Sequence, residues 1–244
     1  IDRRDLKEWS VQEIDRGEAR NGDLVRYEIS TVRHTSRARI LQVIGNPGDQ
    51  KQISLIAVHA HGIPEDFSKA ALAEVEALRP PDLSKRSDLR GIPLLTIDPV
   101  DARDHDDAVN ATPDTDPRNP DGWIITVAIA DVAHYVRPGT RLDHEAERRG
   151  NSVYFPDRVV PMLPERISND LCSLRAGEDR ACLAVRMIFD AAGEKTGHTF
   201  MRAVMRSPAK LNYAQAQAAV DGKPDAVTQP LLEGALKPLW AAYA

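Results

Sequence analysis

Leu94-Leu95-Thr96-Ile97-Asp98-Pro99-Val100-Asp101-Ala102-Arg103-Asp104-His105-Asp106-Asp107-Ala108-Val109 is the stretch around which the rest of the chain is organised. Its apolar run, Leu94 to Ile97, has β character and delivers Asp98 to the end of a strand. Pro99 stops further pairing because it has no N–H to donate. Asp101, Asp104, Asp106 and Asp107 follow, with Arg103 the only formal positive charge among them. Carboxylates this dense raise one another's pKa unless a cation sits between them. A hard divalent cation with oxygen ligands meets that need. A solvated acidic loop is the rival reading, and the flanking sequence weighs against it. A strand would turn Asp104 and Asp106 to one face and Asp107 to the other, so convergence with Asp98 requires a bent loop.

The 244 residues suffice for one large domain or two ordinary ones. Apolar content of 42% with 28% charged residues reads as globular, and no run approaches a membrane span, so no membrane partner is expected. A net charge of −5 lacks the basic excess that usually announces nucleic acid, but an acidic metal site would subtract from a local basic patch. Cys172 and Cys182 have no metal-type spacing. They read as two small buried residues in a reducing, cytoplasmic setting. The first residue is Ile, so the chain reads as a fragment.

Residues 1–48 read as a small β-structure, with too few strands to close a barrel. Leu24 to Ser30 alternates, placing Val25, Tyr27 and Ile29 on one face, and Arg37 to Ile44 is its partner candidate. The basic Arg33-His34-Thr35-Ser36-Arg37 between them suits a hairpin loop, either tracking phosphates or simply solvated. Residues 49–90 read as a linker carrying a helix over 64–79, opened by Pro64 and stopped by Pro80-Pro81, with the domain boundary in 82–90.

Residues 91–244 read as a mixed α/β body. Trp123 to Val132 is nearly all apolar and predicts a strand buried on both faces, with Asp131 an intruder near its end. Residues 112–122 read as a surface loop. Thr140 with Asp143 predicts a helix start, and Gly150 its stop. Cys182 to Asp190 and His198 to Arg206 predict a hairpin, Asn212 a helix cap, and Pro238 an interruption in a last helix.

Further blocks follow the acidic stretch. They are Val127-Ala128-Ile129-Ala130-Asp131-Val132-Ala133-His134-Tyr135-Val136, then Arg149-Gly150-Asn151-Ser152-Val153-Tyr154-Phe155-Pro156, then Val159-Val160-Pro161-Met162-Leu163-Pro164-Glu165 and Ser168-Asn169-Asp170-Leu171-Cys172-Ser173-Leu174. Together with Met205 to Tyr213 they resemble, in order, the ribonuclease II/ribonuclease R superfamily. Asp101-Ala102-Arg103-Asp104 looks more like the ribonuclease R branch. The resemblance implies an α+β fold: the N-terminal part of an RNB-type catalytic domain, preceded by a partial β-barrel of the cold-shock/OB type.

It also implies a processive, Mg²⁺-dependent exoribonuclease, with Mn²⁺ as an alternative ion, that digests single-stranded RNA from the 3′ end and releases 5′-mononucleotides. The family's catalytic, metal-binding aspartates correspond to Asp98, Asp104, Asp106 and Asp107. Tyr154 corresponds to a base-stacking tyrosine, and Arg103 and Arg149 are further RNA-binding candidates.

Two departures stand out. His105 occupies a position where the family usually has an aromatic. The family's later half is not recognisable in this chain, including its arginine-bearing Ser-Pro-Ile-Arg-Arg-Tyr block, so the missing C-terminal part is an expected partner and the isolated piece is expected to be poorly active. Two other function classes compete. A non-catalytic RNA-binding module would keep the fold and lose a quartet member. An all-helical terpene cyclase also fits Asp104-His105-Asp106-Asp107, but the strand-like runs around it argue against that fold.

Overall fold

Strand-forming runs of small and branched residues build a five-stranded sheet in the order Ser87–Asp88, Lys195–Met205, Arg180–Phe189, Trp123–Ala130, Asp107–Pro113. The computed structural model describes residues 8–32, 35–46 and 50–244. It divides into two compact units, one taking the described residues up to Ser68 with Glu145–Met162, the other Lys69–His144 with Leu163–Ala244. The sheet lies in the second unit. Its four longer strands run antiparallel to their neighbours, and Ser87–Asp88 adds a short parallel edge. An all-helical fold is thereby ruled out.

Small residues meet across the central strands, Ala128 opposite Ala184 and Cys182 between Ala130 and Ala203, and all five are buried. The alternate positions behave differently. Ile129 is 42% and Leu183 44% exposed, so the Trp123 strand is buried on one face only, contrary to the two-sided burial its composition predicts. A strand shows its two faces to different surroundings, and here the second face is half-buried at Trp123, Ile125 and Val127 and open at Ile129. Both cysteines are free and buried, and desolvation pushes their thiols up, Cys172 to about 12 and Cys182 to about 11.

A second, smaller pairing sets the functional end. Thr96–Asp98 lies parallel to Lys210–Asn212, and Leu95 exchanges two backbone hydrogen bonds with Val109 at 3.0 and 2.9 Å. Leu95 and Leu211 join Ala216, Ala219, Leu232 and Leu236 in a buried cluster beneath the helices that follow. Asn212 caps the helix Tyr213–Val220 by accepting from the Gln215 N–H at 2.8 Å. Pro238 sits in the first turn of the helix Lys237–Tyr243, and the wider π-turn Leu232–Leu236 absorbs the interruption before it.

In the first unit, Leu24–Val32 and Thr35–Gly45 form an antiparallel hairpin. Two register shifts interrupt the pairing, and Tyr27 and Ile29 remain 45% and 49% exposed. Arg33 and His34 of the basic loop lie outside the described residues, as do 47–49 of the break that follows. The expected linker contains a helix, Gln50–Ala60, that the sequence reading does not anticipate. The helix expected over 64–79 is confined to Lys69–Ala77, in the second unit. The carbonyls of Pro64 and Asp66 instead accept from the Arg149 guanidinium at 2.6 and 2.8 Å, so that stretch is not free to wind. Within the stretch expected to hold the boundary, 82–90, Ser87–Asp88 is paired into the sheet.

Asp131, just past the Trp123 strand, accepts from Arg86 at 2.6 Å and from Arg202 at 2.7 Å. Its side chain is 2% exposed and that of Arg86 7%, whereas Arg202 is half open. Burial pushes the Asp131 carboxyl up, but the Arg86 hydrogen bond and both arginine charges outweigh it and leave it below 3.8. Asp131→Ala strands a buried guanidinium and should cost about 3–5 kcal/mol in urea denaturation, against about 0–1 kcal/mol for Arg202→Ala. Since the folded pKa is depressed, the Asp131 gap should be fully present above pH 3.8 and close only in more acid solution.

Candidate active site

Asp98, Asp106 and Asp107 are placed by backbone bonds to neighbouring elements of the second unit, and Asp104 by a turn within its own loop. Asp98 ends its short strand opposite Asn212 and is 9% exposed. Pro99 breaks the strand as its chemistry predicts, and a turn follows in which the Ala102 N–H donates to the Pro99 carbonyl at 3.1 Å. A tighter turn comes next, the Asp106 N–H donating to the Asp104 carbonyl at 3.0 Å, with His105 at its centre. This is the bend that the aspartate spacing requires. The His105 carbonyl accepts from Leu174 at 2.6 Å and the Asp106 carbonyl from Ala130 at 2.8 Å. Asp107 then opens the strand Asp107–Pro113 opposite Ile129.

The loop turns His105 inward, where it is 5% exposed, with Nδ1 2.7 Å from Asp98 Oδ2. Asp106 and Asp107 stay exposed at the loop's end. Partial burial raises the Asp106 pKa above 3.8, and the charges of Asp107, Asp104 and Asp98 add to the rise. Burial and the Asp98 charge raise Asp107 likewise. Asp106 thus lies within reach of the charges of the other three carboxylates, and Asp107 within reach of that of Asp98. Among the described residues no three His, Cys, Asp or Glu side chains are already drawn into metal-holding geometry. The donor chemistry nonetheless fits a hard divalent cation, since all four donors are carboxylates, and burial with nearby negative charge opposes ionisation of Asp106 and Asp107.

Asp131 belongs to the Arg86 pair described above. Arg103 is exposed on the loop. With His105, Asn169, Ser173, Arg175 and Lys210 it borders a hollow of about 390 Å³. Sequence reasoning misses Arg175 and Lys210 because they lie far along the chain from Arg103. Tyr154 lies in the first unit on the two-residue strand Val153–Tyr154 and is 66% exposed, so it is not a core aromatic. Arg149, also in the first unit, is oriented inward. Its side chain is 2% exposed, its guanidinium lies 3.7 Å from the Phe67 ring centre, and it donates to the carbonyls of Pro64, Asp66 and Pro161.

Residues 86–241 match the family model described as the RNB domain, and residues 2–68 the one described as a cold shock domain. The chain belongs to the RNB-domain family. Its relatives include the Ribonuclease R of Escherichia coli (strain K12), 42% identical over 85% of this chain and 26% of that protein. The Ribonuclease R of Acidithiobacillus ferrooxidans is 40% identical across 100% of this chain and 57% of its own. The solved structure of Mycoplasma genitalium RNase R in complex with double-stranded RNA is similar at a TM-score of 0.82 and 25% identity, over 93% of this chain and 40% of that one. The chain thus spans about a quarter of the length of the Escherichia coli relative.

The raised carboxyls give a stability test that needs no substrate. A carboxyl whose folded pKa lies above its unfolded value destabilises the fold once pH rises past the unfolded value near 3.8. Asp106→Asn should therefore melt higher than the parent at neutral pH without metal, and the gain should disappear as pH falls towards 3.8. Thermal melts across pH check this. Added Mg²⁺ should stabilise the parent more than the variant.

Proposed function

We propose that this chain carries the metal-binding part of a hydrolytic exoribonuclease acting processively on single-stranded RNA from its 3′ end and releasing 5′-mononucleotides. The gathering of Asp104, Asp106 and Asp107 on one pinned loop, with Asp98 at the end of the strand before it, carries the reading, and the Ribonuclease R relatives support it. These four residues would hold Mg²⁺, or Mn²⁺ in its place. A pair of such ions lowers the pKa of an attacking water and steadies the leaving 3′ oxygen.

The protein's own contribution is placement. Asp106 and Asp107 project from a loop whose backbone is bonded to Leu174 and Ala130, so the carboxylates are held near one another against their repulsion. Arg103, Arg175 and Lys210 around the hollow offer cations to RNA phosphates, which position a strand without reading its sequence. Exposed Tyr154 offers a ring on which bases stack. Arg149 holds together the loops of its own unit, and its guanidinium is already taken up by carbonyls.

The test uses the full-length protein, Mg²⁺ and single-stranded RNA with a free 3′ end. Asp106→Asn should lose nucleotide release by about a hundredfold or more, the scale on which a lost charge-stabilising group acts, while RNA affinity changes little. A variant rate near the parent's would make the acid cluster a solvated loop and end this reading. A parent that binds RNA yet releases no nucleotides would be a non-catalytic RNA-binding module. Arg103→Ala and Lys210→Ala should weaken RNA binding alike for all sequences, each lowering the slope of log affinity against log salt by about 0.7.

A further inference from the structure

We propose that His105 is the positioning residue for Asp98, fixing the plane of its carboxylate before a metal ion arrives. The proposal rests on the reading that Asp98 is a metal ligand. An ionised carboxylate only accepts hydrogen bonds, so the His105 Nδ1 that lies 2.7 Å from Asp98 Oδ2 must carry the proton and donate it. Rotation about the last bond of an aspartate side chain is otherwise loose and roughly two-fold. One donor at this distance commits Oδ2 and leaves Oδ1 for a cation, so Asp98 becomes a one-oxygen ligand of set direction.

The backbone holds the donor as firmly as the acceptor. His105 is the middle residue of the Asp104–Asp106 turn, and its carbonyl is bonded to the Leu174 N–H. The ring is buried, 5% exposed, which favours the contact with Asp98 over solvent. Asp98 is tied through its parallel pairing with Asn212. This inverts the usual arrangement in which a carboxylate supports a metal-ligating histidine: here an imidazole supports a carboxylate. A phenyl ring in its place could fill the volume but could not donate.

Mg²⁺ makes the arrangement matter, because it demands near-ideal octahedral geometry, whereas Ca²⁺ tolerates irregular ligand sets. Calorimetric titration of the full-length protein with Mg²⁺ and with Ca²⁺, alongside turnover, tests the idea on three variants. His105→Phe should weaken Mg²⁺ binding about tenfold or more, the usual scale for losing a ligand's supporting partner, and Ca²⁺ binding less. His105→Asn sets an amide N–H where Nδ1 lies and should restore Mg²⁺ affinity. His105→Gln sets it where Nε2 lies and should not.

The idea is overturned by Mg²⁺ affinity within about twofold of the parent in His105→Phe, far short of that scale. It is equally overturned if Asn performs no better than Gln, a comparison that decides the matter even if the Phe variant does not fold. A parent that binds no Mg²⁺ would remove the metal reading of the site and this proposal with it. A parent that binds and turns over normally beside unaffected variants would remove this proposal alone.

Discussion

Like charges gathered on one short loop repel one another, and the candidate site exists because neutral backbone bonds hold the loop against that repulsion. The carbonyls of His105 and Asp106 are bonded to Leu174 and Ala130, which belong to different stretches of the same unit. Each such bond is worth only about 1 kcal/mol net, but together they fix the position of the loop without using its side chains. Asp98 is placed separately, by a strand whose Leu95 packs into the buried cluster with Leu211 and Leu236. Asp106 and Asp107 are thus held where ionisation is disfavoured, and their raised pKa values are the sign of it.

Arginine takes three different parts in this chain, and surroundings alone tell them apart. Arg86 is buried against Asp131 and ties a short edge segment to the end of a strand. Arg149 is equally buried, yet its hydrogen bonds go to backbone carbonyls, with the face of Phe67 beneath it and Glu145 3.7 Å away. Arg103 is exposed at the rim of a hollow with Arg175 and Lys210. A guanidinium withdrawn from water needs its donors filled. Arg86 meets that need internally and Arg149 does so through its two terminal nitrogens, whereas Arg103 keeps its charge at the surface, where a phosphate can reach it.

Much of the local structure is legible in the residues. Cys182 to Asp190 and His198 to Arg206 read as a hairpin, and the structure pairs Arg180–Phe189 with Lys195–Met205 in that way. Asn212 caps its helix through its own side chain. Thr140 accepts from the Asp143 N–H at the start of a helix, and Gly150 ends it at a φ of 76°. The aspartate spacing demands a bend, and the turn at His105 supplies one. These features depend on groups a few residues apart, so the sequence states them almost directly. The helix Gln50–Ala60 and the late start at Lys69 are less legible, because Arg149 decides the conformation of Pro64 to Asp66 from far along the chain.

The sequence by itself determined the family, the central hairpin and the need for a bend within the acidic stretch. Tertiary structure alone decided what surrounds those groups: that His105 turns inward to Asp98, that Lys210 and Arg175 share a rim with Arg103, and that Arg149 is enclosed while Tyr154 is open. The reason lies in the range of the forces. Backbone hydrogen bonding and side-chain periodicity act between near neighbours in the chain. Burial and electrostatic environment depend on whichever segments the fold brings alongside, and their spacing in the sequence carries no record of that.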